Sequence, residues 1–204
     1  MAQWNLAAKG RNDFADMVEP LTDEQWQQRS LCDAWTAHGV LAHLTSFVET
    51  GIFSFFGHMI KNRFDFDKVS VSMTDERSER STADLIASLR AKATKSSPLP
   101  MFPERLTVSD TAIHTQDVRR PLGLPGSLDE EVLRTALDFV TTDKMATMLV
   151  NRRPIDEVRL QATDLDWSFG DGPEISGPAE AILMGLADRP VLDDLSGEGL
   201  ARWR

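Results

Sequence analysis

The spacing of apolar residues predicts helices over the first three quarters of the chain. Residues 2–19 carry Trp4, Leu6, Phe14, Met17 and Val18 in an imperfect amphipathic pattern that stops at Pro20. Thr22 opens a short turn in which Gln25 completes a capping box, TDEQ. Thr36 is a good N-cap for a long helix running to about Lys61. Its apolar positions, Val40, Leu41, Leu44, Phe47, Val48, Ile52, Phe55, Phe56 and Met59, form a stripe wide enough to face two neighbours, as in a bundle. The next stretch, NRFDFDKVSVSMTDERSER at 62–80, is polar and reads as loop. Thr82 caps another helix with Leu85, Ile86 and Leu89 on one side. SSPLPMFPERL is a Pro-rich break, and the helix after it carries Asp110 and His114 and ends before Pro121. After the turn PLGLPG, Ser127 and Glu130 form a second capping box, SLDE, opening a helix to about Val150.

Beyond Asn151 the period shortens to two. EVRLQATDLDW puts Val158, Leu160, Ala162 and Leu165 in alternation or near it, which predicts a strand. DLDWSFGDGPEIS reads as a hairpin around a turn-rich FGDGPE, and PAEAILMGLADR as a short helix with Pro at its first position. The expected organisation is mainly α, a helical bundle over 1–150 followed by a small α+β domain over 151–204.

Composition narrows the function classes. At 204 residues, 41% hydrophobic and 26% charged, the chain reads as an ordinary soluble globular protein. Its formal net charge of −10 argues against a nucleic-acid partner, since little is available to neutralise phosphates. Basic residues are scattered apart from the pairs Arg119-Arg120 and Arg152-Arg153. The single cysteine, Cys32, excludes an internal disulfide and fits a reducing, cytoplasmic setting. MAQWNLAAKGRNDFADM is interrupted by charge and is not expected to be a signal peptide. No apolar run is long enough to span a membrane, and the best one, GIFSFFGHMI, is short and contains a histidine. Tyrosine, one common acid or base, is absent.

The pair Asp110 and His114 is the first candidate for chemistry. Positions i and i+4 of a helix face the same way, so a carboxylate and an imidazole there can grip one divalent ion. His43 interrupts the apolar run VLAHLTSF and offers a third ligand. Three such ligands leave one position open, as a catalytic zinc requires. The plainer reading makes Asp110 a helix N-cap, with His114 and His43 as hydrogen-bonded core histidines. His38 and His58 read as surface or hinge residues. Cys32, just before a helix start, could act as nucleophile or ligand, but Asp33 opposes a low pKa and a packed, inert thiol is the preferred reading. Asp164 and Asp166 beside Trp167 read as solvated turn charges. Arg119 and Arg120 could bind a substrate carboxylate, or only complement the helix dipole.

Three segments together, LTDEQWQQRSLCDAWTAHGVLAHLTSFVE, DTAIHTQDVRRPLGLP and VRLQATDLDWSFGDGPEISGPAEAILMGLADRPVLDDLSGEGL, resemble the mycothiol-dependent maleylpyruvate isomerase-like family of actinobacteria. That family lies in the DinB-like superfamily of metal-binding four-helix bundles. The resemblance runs from about residue 4 to the end. It implies metal ligands at His43, Asp110 and His114, with aspartate at a site where the family usually has glutamate. It matches Arg189 in LADRP to an arginine important for the isomerase activity, and places Arg119 and Arg120 in a family motif. It further implies a divalent metal, zinc for preference, and mycothiol as thiol cosubstrate. The expected chemistry is a metal-activated thiolate that adds to a cis double bond, allows rotation and leaves, or is transferred to an electrophile. The expected partners are a small thiol and a small electrophile, with no nucleic acid and no membrane; a homodimer could use the exposed part of GIFSFFGHMI. Two other readings compete. One is a non-catalytic binding or stress protein of the same fold, and the other is a metal-dependent hydrolase with Asp117 as general base.

Overall fold

The computed structural model describes residues 5–96, 102–149 and 153–203. Trp4, most of the Pro-rich break, the helix end expected near Val150 and Arg152 lie outside them. The expected mainly-α fold is observed. Helix α1 spans Asn5–Val18 and α2 Asp23–Trp26, with the Thr22–Gln25 capping box formed in both directions. Helix α3 covers Ala37–Glu49 and starts where the Thr36 hydroxyl accepts from the Gly39 N–H.

The long helix expected to reach Lys61 is broken. Thr50 is extended (ψ 123°), Gly51 becomes an N-cap, and α4 runs separately over Ile52–Lys61. Glycine weakens a helix interior by about 1 kcal/mol against alanine, and a β-branched neighbour adds to the break. Helix α4 turns Phe55, His58 and Met59 inward and leaves Phe53 and Ile60 strongly exposed.

Residues 62–80 are not a loop. Asp65 caps a helix α5, Phe66–Ser78, which packs along α3. Its buried face is only Val69, Met73 and Thr74, too narrow a stripe for hydrophobic periodicity to register. Helix α6, Thr82–Ala91, is capped by Ser81, one residue earlier than the sequence suggests. Helix α7, Glu104–Arg119, lies between α1 and α8, the latter spanning Glu130–Thr142. Asp129, whose carboxylate accepts from the Glu131 N–H, caps α8 in place of the Ser127–Glu130 box. Helix α8 ends at Thr142, and Asp143 caps a separate 3-10 turn, Lys144–Met148.

The C-terminal sheet has strands β1 (Arg159–Ala162), β2 (Ser168–Phe169) and β3 (Glu174–Gly177) in the order β2-β1-β3. The expected hairpin between β2 and β3 is therefore absent. Strand β2 pairs antiparallel with β1, while β3 pairs parallel with β1 on its other edge, Leu160 facing both Phe169 and Ile175. The connecting FGDG passes beneath the start of β1. Gly170 and Gly172 (φ +78° and +135°) lie so close to the carbonyls of Val158 and Glu157 that a Cβ would collide, so glycine permits the crossover. Pro178 is the N-cap of helix α9, Ala179–Leu186. Leu160, Ile175, Ile182 and Leu183 of this unit share one continuous apolar core with Ala136, Leu137 and Val140 of α8.

Glu49, at the end of α3, ties three helices together. It accepts from Arg80 of the α5–α6 turn (2.8 Å), Ser88 of α6 and Lys92 just after it (3.2 Å), with Arg77 Nε of α5 at 3.3 Å. Burial pushes its pKa up, but these donors outweigh that and hold it at about 2, below an ordinary 4.5. The ionised form thus stabilises the fold fully above pH 4.5, and that contribution is lost as pH falls towards 2. Glu49→Gln is expected to lower stability by about 1–2 kcal/mol at neutral pH and to flatten the loss of stability between pH 5 and 3, as measured by urea unfolding across that range.

Candidate metal centre

Mid-helix phase decides the role of Asp110. It lies in the interior of α7, so it is not the N-cap of that helix, and it shares a face with His114. His43 reaches the same point from α3. Its Nε2 is 3.5 Å from Asp110 Oδ1, and His114 Nε2 is 3.6 Å from the same oxygen. One ligand atom from each residue fits within 4.8 Å of the others, with both imidazoles buried. The imidazole rings meet edge-on at 4.7 Å between centroids.

The hydrogen-bond partners accommodate a proton on the outer nitrogen of each ring. The Thr74 hydroxyl donates to the Ser70 carbonyl at 2.8 Å, so towards His43 Nδ1 (3.5 Å) it can only accept; Ser70 Oγ sits 3.3 Å from the same nitrogen. With the proton on Nδ1, where Thr74 can accept it, His43 Nε2 presents a lone pair towards Asp110. That Nε2 is fully buried and has no hydrogen-bond partner among the described residues. His114 Nδ1 lies 2.9 Å from Asp117 Oδ2, which can only accept, so His114 Nε2 is bare as well. In those tautomers two imidazole nitrogens and a carboxylate oxygen converge on one point. A divalent cation satisfies all three, and the donor set suits zinc among other ions.

Electrostatics favour a neutral His43 and an ionised Asp110. Burial pushes the His43 pKa below its ordinary value, opposed in part by Asp110. Burial pushes Asp110 up, but His43, His114 and the buried Arg11 outweigh it and keep the carboxyl ionised. Arg11 is fixed behind the site, donating to the carbonyls of Ala93 (2.6 Å) and Lys95 (2.8 Å).

Asp117 is completely buried and its carboxylate accepts three hydrogen bonds, one of them from His114. Arg189 donates to it twice, Nε to Oδ1 at 2.8 Å and Nη2 to Oδ2 at 2.9 Å, and to the Ala187 carbonyl at 3.0 Å. Burial raises the Asp117 pKa, but Arg189 and His114 more than compensate and hold it below the ordinary range. Asp188, in the left-handed region at φ 59°, closes α9 and sends Arg189 back towards α7. Carboxylate–histidine pairs of this kind orient ligating imidazoles in metal sites.

A cavity of about 270 Å³ opens on the three ligands. Trp35 stacks on His43 with centroids 4.3 Å apart, and Phe47, Phe55, Phe66 and Phe102 form apolar walls. Arg189 is the one Lys or Arg among the described lining residues. Cys32 also lines it, and burial pushes that thiol up, so it stays protonated. Arg119 and Arg120, the other expected binding residues, do not reach this cavity. Arg120 donates to Glu180 (2.6 Å) and Asp194 (2.7 Å), tying the end of α7 to the C-terminal unit, and Arg119 donates to Gln116 (2.6 Å) on its own helix.

His58 is buried rather than at the surface, with Nδ1 3.2 Å from Ser72 Oγ. His38 is half-buried, Nε2 3.1 Å from the Ser78 carbonyl. Asp164 does not merely carry a solvated charge, since it accepts from the Ala179 N–H at the start of α9. Sequence reasoning missed Ser70 and Thr74 because it read their helix as loop. The i,i+4 pairs Val69–Met73 and Ser70–Thr74 were the available signal.

Residues 7–97 match the family model described as the mycothiol maleylpyruvate isomerase N-terminal domain. The structure is similar to a crystal structure of a mycothiol-dependent maleylpyruvate isomerase carrying a histidine-to-alanine substitution. The TM-score is 0.63 at 14% identity, covering 96% of this chain and 91% of that one. A second crystal structure of the mycothiol-dependent maleylpyruvate isomerase gives a TM-score of 0.57 at the same identity and coverage. At that identity the likeness establishes the shared fold. A search of curated protein sequences gives no match. The family model bears out the resemblance over residues 7–97, and the solved structures bear out the fold over nearly the whole chain. No helix among the described residues is long and apolar enough to cross a membrane.

Proposed function

We propose that the chain is a metal- and mycothiol-dependent enzyme of the maleylpyruvate isomerase-like kind. It would use a thiolate for cis–trans isomerisation of, or transfer to, a small electrophile in the cytoplasm. The observation that carries this reading is the buried, partnerless His43 Nε2 facing Asp110 beside a second bare imidazole nitrogen. His43, Asp110 and His114 would hold the metal, zinc for preference. A divalent cation there supplies the charge that keeps a thiol deprotonated at neutral pH.

The remaining work belongs to the protein's own side chains. Asp117 holds the His114 ring in the tautomer that exposes Nε2, and Arg189 locks Asp117 in place. Ser70 and Thr74 hold the His43 ring in place through Nδ1. The Trp35 face and the phenylalanine walls keep water from a reactive sulfur and offer apolar surface to the thiol's partner. Arg189, with N–H groups beyond those given to Asp117 and Ala187, is the cation available to an anionic electrophile.

The shorter carboxylate at position 110 supports binding rather than its loss, because Oδ1 already lies within 3.6 Å of both imidazole nitrogens. The hydrolase alternative has less support. Asp117 is fully buried, and Arg189 and His114 hold its pKa below the ordinary range, which makes it a weak base for a proton from water. The test is cobalt-substituted protein titrated with mycothiol. A sulfur-to-cobalt charge-transfer band that grows with thiol, together with thiol-dependent conversion of maleylpyruvate or another electron-poor alkene, is expected. Metal binding with no spectral response to mycothiol would refute the thiol-dependent reading.

A further inference from the structure

The cavity over His43, Asp110 and His114 is walled mainly by rings. Trp35, Phe47, Phe55, Phe66 and Phe102 line it. Phe55 and Phe102 meet edge-on at 6.5 Å between centroids, so two of these rings form one packed wall. The apolar lining continues to the surface. Phe66 and Val71 of α5 both border the cavity, and they are 42% and 39% exposed. An aryl or alkyl group bound there gains contact area from five aromatic side chains.

Charge is scarce in the same space. Arg189 is the one lining cation among the described residues. It already gives two hydrogen bonds to Asp117 and one to the Ala187 carbonyl. Two lining residues are carboxylates, Asp110 and the exposed Asp67. Lys68, next to Asp67, does not line the cavity and pairs with Asp65 at 2.9 Å. Arg11 does not line it either, and donates to the carbonyls of Ala93 and Lys95. One substrate carboxylate therefore finds one guanidinium with N–H groups to spare. A second would lose water against aromatic rings or meet Asp67, and a charge so placed is costly unless paired.

Maleylpyruvate carries two carboxylates. We infer that the electrophile of this chain carries one, joined through a ketone-activated cis alkene to an aryl or bulky alkyl group. That the occupant is an electrophile rests on the thiol-dependent reading; that it is apolar and singly charged rests on the cavity. In the reaction, the thiolate sulfur bonds to the alkene carbon β to the ketone, and the C=C pair moves onto the ketone oxygen as an enolate. The carbon–carbon single bond turns. The enolate pair then restores the double bond in the trans form as the sulfur leaves, so no oxidant, reductant or proton is consumed.

Two matched pairs test the substrate class. In the binding arm, β-benzoylpropionate and the dianion γ-ketopimelate share a keto-acid end and differ in a phenyl ring against a second carboxylate. Each is titrated into the metal-free, isotope-labelled full chain by NMR. Saturable shifts at the Trp35 indole and the Phe66 ring are expected for the benzoyl acid, which should bind at least about tenfold more tightly, the lower end of what burying one ring is worth. In the turnover arm, zinc-loaded protein with mycothiol is given cis-β-benzoylacrylate or maleylpyruvate, and kcat/KM is expected to favour the benzoyl compound by a similar factor. Phe66→Arg adds a cation at a half-exposed lining position and should narrow both preferences about threefold, the scale of one exposed ion pair. Val71→Arg provides the same test on a second half-exposed residue. The binding arm contains no thiol, so it reads the cavity even where the thiol-dependent reading fails. A chain that responds to mycothiol yet converts maleylpyruvate as well as the benzoyl compound overturns the substrate class alone. Equal or tighter binding of γ-ketopimelate, benzoyl shifts away from Trp35 and Phe66, or preferences unmoved in both folded arginine variants also overturn it.

Discussion

His43→Ala is expected to lower divalent-metal affinity by more than about 100-fold, because loss of an outer partner alone costs 10–100-fold in metal sites and this change removes a ligand. The same substitution should cost the metal-free protein less than a typical core truncation. The ring it removes carries a buried nitrogen with no partner, so part of the lost packing against Trp35 and Phe47 is offset. The two effects separate in one experiment. With metal at 100 times its Kd, the wild-type chain gains about 2.7 kcal/mol of stability, and the variant gains almost none. Thermal or urea unfolding with and without added zinc reads both. Equal stabilisation of the two proteins by zinc would remove His43 from the ligand set.

Arg189→Met is expected to have the largest effect on folding. Asp117 is wholly buried and relies on both Arg189 contacts to remain charged. Removing one member of such a pair leaves an uncompensated charge and costs about 3–5 kcal/mol. The pair also joins α7 to the turn after α9, so the C-terminal unit should loosen first. Adding Asp117→Asn to Arg189→Met should restore part of the stability, since the stranded charge is gone, while metal affinity stays low because His114 loses its orienting carboxylate. Urea unfolding of the two singles and the double gives the coupling energy. A cycle that sums additively would show that Arg189 does not act through Asp117.

The parts of the site that the sequence makes legible are those fixed by local geometry. Asp110 and His114 share a helix, and their spacing alone puts them on one face. His43 is different: its place in VLAHLTSF makes it a possible third ligand, but its approach to α7 depends on packing, which no spacing within the helix encodes. What resisted reading has physical causes of its own. Helix α5 buries two apolar residues and a threonine, and its inner face works by hydroxyl contacts to His43, so no hydrophobic period marks it. The α3–α4 break rests on one extended threonine before Gly51 inside an otherwise continuous apolar stripe. The order β2-β1-β3 is a non-local pairing that alternation within a strand cannot encode. Among the arginines, Arg189 was singled out by the resemblance and not by any local pattern. Arg119 and Arg120 follow the ligand helix directly yet point away from the cavity. Arg189, 72 residues beyond Asp117, closes onto it.

The most direct measurement is elemental analysis of wild-type and His43→Ala protein, each purified without added metal and checked for folding by circular dichroism. About one divalent ion per wild-type chain, with near-complete loss in the folded variant, is the expected result. A wild-type protein that neither carries nor takes up a divalent ion at micromolar concentration, or a variant that retains it in full, would contradict a metal centre built by His43, Asp110 and His114.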